Sequence, residues 1–243
     1  MTSTQTRSPG PPGGAAPAAY RRVRETTEAL VTADPDAATV PVEHCPGWTV
    51  RDLVAHLVEV CARVHDRVTG LPPAPAPGPQ AGLPELLARW AELSGPVEEF
   101  LAGPASMERG ILVMDAFTHE LDLRRALGAA PPEDHPALPV AIHVLVTGLT
   151  ASLAGHGLPA LAVRSGHGRL VAGTGEPAAT VSGHWYDVYL SLAGRRTEAQ
   201  IRSLRWSEDP RRWLPAFTWG PFRVPEAVAV DGSPGSAALD GMR

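Results

Sequence analysis

The chain contains no lysine: its 21 cations other than histidine are all arginines. Schiff-base chemistry and the phosphate-binding P-loop are thereby excluded. Cysteine is nearly absent too. Cys45 and Cys61 are the two present, neither lies in a CxxC pair, and two cannot build a zinc ribbon. Two thiols of this kind fit a reducing compartment, so a cytoplasmic location is expected. No basic run occurs and the formal net charge is −5, which argues against nucleic acid as a partner. GxSxG, HExxH and GxGxxG are all missing, and with them the hydrolase elbow, the zincin helix and the dinucleotide fingerprint. The first 19 residues lack the apolar core of a signal peptide. The most apolar stretch, 138–154, is interrupted by His143, Thr147, Gly148, Thr150 and Ser152. It reads as a core helix rather than a membrane span, so no membrane partner is expected.

What is present is enough for a core: 243 residues, 44% of them hydrophobic. The 24 glycines and 26 prolines cluster in tails and linkers. Residues 1–19 read as a disordered tail. A helix is expected over 20–33 with Val23, Leu30 and Val31 inward, followed by a loop to Trp48. Thr49 and Asp52 form a capping-box start, and apolar residues at 50, 53, 54, 57, 58, 61, 64 and 68 mark an amphipathic helix. Six prolines in 71–84 make a stiff linker. A third helix opens near Leu83, carrying Leu86, Leu87, Trp90 and Leu93, and Gly95-Pro96 is expected to kink or break it. A fourth spans 109–127 and closes on Gly128. Beyond a Pro-rich loop at 129–139, a helix at 139–155 leads into hairpin-like runs around residues 165–168. A short strand at 180–181, a helix over 185–192 and an Asp209-Pro210 helix start leading to Trp213 follow. The fold class is α+β. A four-helix bundle occupies 20–135, a smaller mixed α/β domain 136–230, and a flexible tail 231–243.

The fourth helix holds the sharpest chemical signal. Asp115, His119 and Asp122 are spaced i, i+4 and i+7, within about 60° of one another at about 100° per residue. Ionisable groups on the inner side of a bundle helix are costly unless paired or bound to a metal. The helix alone leaves both readings open: ligands to one cation, or a hydrogen-bonded His–Asp pair. Glu120 and Arg124 point the opposite way, where solvated residues belong. His56 on the second helix is the natural third ligand, although it lies about 120° from the centre of its apolar stripe. His44 and His65 share no face with it. Trp48, just before the N-cap, reads first as a hydrophobic staple and second as a ligand wall.

Two segments carry a family resemblance. Cys45-Pro-Gly-Trp-Thr-Val-Arg-Asp-Leu-Val-Ala-His56-Leu resembles the motif that opens the second helix of the mycothiol-dependent maleylpyruvate isomerase family, part of the DinB-like superfamily. Asp115-Ala-Phe-Thr-His119-Glu-Leu-Asp122-Leu-Arg-Arg-Ala-Leu-Gly resembles its second motif. The resemblance spans about residues 20–230 and includes Leu190-Ser-Leu-Ala-Gly-Arg195-Arg196. It implies a DinB-like helical bundle and a divalent metal, usually Zn²⁺, on His56, Asp115 and His119. It further implies mycothiol as cosubstrate, with its sulfur ionised at the metal. The family's namesake reaction adds that thiolate to a cis double bond, rotates the resulting single bond and expels the thiol. Asp115 departs from the family, which usually has Glu there. Asp122 is expected in the surrounding shell, orienting an imidazole, with the alternative that it replaces Asp115 as ligand. Arg195 and Arg196 are expected to bind a carboxylate of substrate or thiol, or else to be solvated cations at a helix end. The expected partners are a small-molecule substrate and a thiol, for a monomer or a homodimer. The expected function is therefore a metal-dependent thiol addition, transfer or cis–trans isomerisation on a small electrophilic acid such as maleylpyruvate. Two others fit the scaffold: a thiol-independent tailoring enzyme, and a non-catalytic metal- or ligand-binding module.

Overall fold

The computed structural model describes residues 14–72, 77–78 and 80–227. The chain divides into two compact units, with the boundary between Ala141 and Ile142. The first unit contains four long helices: α1 (Ala15–Thr32), α2 (Val50–Thr69), α3 (Leu83–Leu101) and α4 (Met107–Ala126). The dominant contacts are α1 with α3, α3 with α2, α2 with α4 and α4 with α1. Each helix thus touches two neighbours around a square, and α4 lies between α1 and α2.

Several local rules set these helices. Thr49 accepts from Asp52 N while the Asp52 carboxylate accepts from Thr49 N. This reciprocal cap starts α2 where the sequence places it. Ser106 caps α4 through Arg109 N. The helix ends at Gly128, whose φ of 66° is the left-handed conformation that suits glycine. There the Ala129 N–H donates to Arg124 O and the Gly128 N–H to Arg125 O.

Four expectations are corrected. First, α1 starts at Ala15 rather than Tyr20, so 15–19 are helical and not tail. Alanine is the strongest helix former, Pro17 falls in the first turn where its missing N–H is harmless, and Ala19 and Tyr20 are buried. Residues 1–13 and 231–243 lie outside the described residues, as does much of the proline linker. Second, Thr27 rather than Leu30 is buried between Val23 and Val31. Third, α3 continues as one helix past Pro96 and does not break there. Gly95 has no Cβ to clash with the proline ring. Val97 and Leu101, both buried, contribute about 1.5–3 kcal/mol each. Together they outweigh the roughly 3 kcal/mol that an internal proline costs.

The fourth correction concerns the outer side of α4. Glu120 is fully buried, not solvated. The 130–136 segment folds over that side. Arg124 Nε donates to Glu120 Oε1 at 2.8 Å, and Arg124 Nη1 to Ala130 O at 3.0 Å. His135 Nε2 lies 3.2 Å from Glu120 Oε2, and its ring stacks on Phe117 at 4.7 Å. The helix is therefore buried on all sides from Leu112 to Leu123, apart from the half-buried Asp115.

Helix α5 (Ala137–Gly155) crosses the unit boundary. By length and composition it could span a membrane, with a mean hydropathy of 1.8, yet half of it is buried inside the protein, as in a core helix. The second unit continues with β1 (Leu161–Ser165), β2 (Gly168–Ala172), β3 (Ala179–Ser182), α6 (Trp185–Leu192), α7 (Glu198–Ser203) and β4 (Arg205–Trp206). The sheet order is β2-β1-β3-β4. β1 and β2 form the expected antiparallel hairpin, β1 and β3 are parallel, and β3 and β4 antiparallel. Asp209-Pro210 opens a short 3₁₀ helix at Pro210–Arg212, as expected, and buried Trp213 follows it. Trp219 packs on Gly148 so closely that a Cβ there would meet its ring at 2.0 Å.

The buried Glu120 pair generates a test. Glu120→Ala should lower stability by about 3 kcal/mol, the cost of stranding buried partners. Glu108→Ala at an exposed ion pair should cost about 0–1 kcal/mol. Urea denaturation of both variants checks this, and equal midpoints would refute it.

Candidate metal centre

Because α4 packs on α2, the two helices bring three donors together. His56 comes from α2, and Asp115 and His119 from α4. His56 misses the main apolar stripe of α2, but α2 touches both α3 and α4, so a flank residue still faces inward. His56 Nε2 lies 3.9 Å from Asp115 Oδ2, and His119 Nε2 lies 3.7 Å from Asp115 Oδ1. Donor atoms of the three residues all fall within 4.8 Å of one another. Among the described residues Asp115 Oδ2 is buried without a hydrogen-bond partner, a costly state for a carboxylate oxygen unless a cation satisfies it. Bonds of about 2.0–2.2 Å set neighbouring ligands of a tetrahedral ion roughly 3.4 Å apart, close to these separations. The set can hold a metal.

Asp122 lies behind His119 with no side-chain exposure. Its Oδ2 lies 3.1 Å from His119 Nδ1, and its Oδ1 lies 2.9 Å from His44 Nδ1. Cys45 Sγ donates to Asp122 Oδ2 at 3.7 Å and is 4.0 Å from His119 Nδ1. The Trp48 ring lies 5.2 Å from that of His56 and 6.4 Å from that of His119. It therefore lies against both imidazoles.

The two histidines are pushed in opposite directions. Burial, with repulsion from His119, lowers His56 from 6.5 to about 4 despite the nearby Asp115. Burial would lower His119 as well. The hydrogen bonds with Asp122 and Cys45 and the charges of Asp115 and Asp122 override it, raising His119 from 6.5 to about 10. One imidazole is thus neutral with a free lone pair, and the other is held by carboxylates.

Asp115, His119 and Asp122 share one side of α4 as their spacing anticipates, and His56 of α2 meets Asp115 and His119 as the family resemblance implies. Arg195 and Arg196 lie in the second unit. Arg196 places its guanidinium on Asp187 Oδ1 at 2.7 Å. Arg195 donates to Ala193 O at 2.8 Å and sits 5.9 Å from the Phe222 ring centre. His65 bonds its neighbour Asp66 and takes no part. Sequence reasoning missed His44 and Cys45. They sit in a loop, where helical periodicity is silent, and their adjacency to the Trp48 motif was the available signal.

Residues 16–174 match the family described as mycothiol maleylpyruvate isomerase N-terminal domain. The chain belongs to the mycothiol maleylpyruvate isomerase family. That places it in a family of enzymes. His56, Asp115, His119 and Asp122 all lie within the span matched to this family, while Arg195 and Arg196 lie beyond it. Two solved structures are similar to the chain: a mycothiol-dependent maleylpyruvate isomerase and a histidine-to-alanine mutant of one. Each is 18% identical and covers 83% of this chain and 97% of its own, with TM-scores of 0.49 and 0.48. No curated protein matches the chain.

The opposed histidines give this family member a two-limbed pH response in the absence of metal. His119, raised in the folded state, stabilises fully below its unfolded value of 6.5 and loses this as pH rises toward about 10. His56, lowered, stabilises above 6.5 and loses this as pH falls toward about 4. Thermal melts of chelated protein should therefore peak near pH 6.5 as far as this pair contributes. His119→Gln should flatten the alkaline limb and His56→Gln the acid limb, whereas limbs unchanged in both variants would refute the assignment.

Proposed function

We propose that this protein is a metal-dependent enzyme that uses mycothiol to isomerise a small electrophilic unsaturated acid of the maleylpyruvate type. The observation that carries the reading is the convergence of His56, Asp115 and His119 inside a chain of this family. Two imidazoles and one carboxylate suit Zn²⁺ and leave a position open for a further ligand. A divalent cation at this place supplies positive charge that favours the thiolate over the thiol.

The chain's own residues do the rest. His56, neutral at physiological pH, offers its Nε2 lone pair without first losing a proton. Asp122 accepts from His119 Nδ1, which fixes the ring and directs Nε2 toward Asp115. Asp115 contributes negative charge that partly offsets that of the cation. Being one methylene shorter than the family's usual Glu, it requires close approach of α4 to α2, and the 3.9 Å separation from His56 is consistent with that. Trp48 excludes water from one side of the imidazoles.

Metal analysis of protein purified without added metal, then reloaded after chelation, tests the site. One divalent ion per chain is expected. Asp115→Ala and His119→Ala should abolish tight binding, and His65→Ala should leave it intact. Asp122→Ala should weaken it about 10–100-fold, as loss of a ligand-orienting group does. A larger loss in Asp122→Ala than in Asp115→Ala would make Asp122 the ligand. Failure of the unmodified chain to take up metal would sink the reading. The activity itself is tested by mycothiol-dependent conversion of maleylpyruvate to its trans isomer, expected in the wild type and lost in His119→Ala.

A further inference from the structure

The loop between α1 and α2 is stiffened by its own hydrogen bonds. Val42 N donates to Trp48 O, Cys45 N to Val42 O and Trp48 N to Cys45 O, each at 2.9 Å. A bridge between Pro41 and Thr49 closes its base, and Gly47 turns it with a φ of 84°. The loop meets α4 at two points one turn apart. Glu43 accepts from Arg125 Nε at 2.6 Å, an exposed pair, and His44 bonds the fully buried Asp122 carboxylate. The His44 side chain is itself 11% exposed.

We propose that His44 is a positioning residue of the metal centre, acting through Asp122 on His119. The proposal rests on the metal reading given above. A carboxylate has two oxygens and can turn about the bond that carries it. With Oδ1 held by the His44 Nδ1–H, the direction of Oδ2 is set, and Oδ2 is the atom that receives His119 Nδ1–H. The chain His44–Asp122–His119 therefore aims His119 Nε2 at Asp115 and His56. Groups behind a metal ligand commonly change affinity by about 10–100-fold when removed. His44 stands one residue further back than Asp122, so its removal belongs at the lower end.

The test uses the full chain and zinc, with dissociation constants from competition against a chromophoric chelator and the visible spectrum of the cobalt-loaded protein. His44→Ala should weaken zinc about 10-fold and shift the cobalt bands. His44→Asn places an amide N–H near the position of the imidazole Nδ1–H and should recover affinity to within about 3-fold of wild type. Glu43→Ala removes the neighbouring loop tie and should leave affinity unchanged. Equal zinc affinity in His44→Ala and wild type would overturn the proposal. So would His44→Asn as weak as His44→Ala, or Glu43→Ala as damaging, because either result would make the effect one of loop docking. If the wild-type chain binds no zinc, the metal reading itself fails first. Intact zinc binding with an unaltered His44→Ala rejects the role of His44 alone.

Discussion

A carboxylate with no exposed surface must be neutralised by the protein around it, and much of the first unit is arranged to do this for Asp122. Leaving such a charge unpaired costs several kcal/mol. Its partners come from two places: His119 one turn back on the same helix, and His44 and Cys45 from the α1–α2 loop. Satisfying Asp122 therefore draws the loop onto α4. Once drawn in, the loop lays Trp48 beside both imidazoles and delivers Thr49 as the cap of α2. His56 follows seven residues, about two turns, after that cap. The placement of one donor on α2 thus depends on a buried charge on α4.

α4 carries polar chemistry on two sides and is apolar between them. On one side Asp115, His119 and Asp122 form the candidate centre. On the other, Glu120 meets Arg124 and His135. A helix of this kind has no solvent face to give it an amphipathic signature. Its stability comes instead from burial of Leu112, Val113, Phe117, Leu121 and Leu123 and from pairing of Glu120 with Arg124 and of Asp122 with His119 and His44. The two polar sides differ in kind. Glu120 is held by a guanidinium through Oε1, whereas Asp115 faces two imidazole nitrogens at 3.7 and 3.9 Å, a donor set that can hold a cation.

Much of this was legible in the residues. The capping box and apolar stripe of α2 are local signals, and both appear where the sequence places them. The i, i+4, i+7 spacing put Asp115, His119 and Asp122 on one face, and the structure joins them. What was not legible depends on distant partners. Glu120 points away from the centre, as its angle requires, but a loop rather than water lies there. The helix continues past Pro96 because burial of Val97 and Leu101 outweighs the proline's local cost. His44 and Cys45 contribute from irregular backbone, whose side-chain directions no periodicity predicts. The early start of α1 follows from burial of Ala19 and Tyr20, a tertiary fact invisible in an alanine- and proline-rich stretch.

His135 has one further consequence. Its Nδ1 accepts the N–H of Ala137 at 3.1 Å, so that nitrogen is unprotonated and serves the first turn of α5. Its other nitrogen then carries the ring proton, 3.2 Å from the Glu120 carboxylate on α4. A single neutral imidazole thus ties the opening of one helix to the charge balance of another. Fraying the start of α5 frees the imidazole to rotate, and Glu120 loses a neighbour. Loosening α4 removes the anchor that holds the imidazole in its capping tautomer. The opening turn of α5 and the middle of α4 are therefore expected to open and close together in native-state hydrogen exchange.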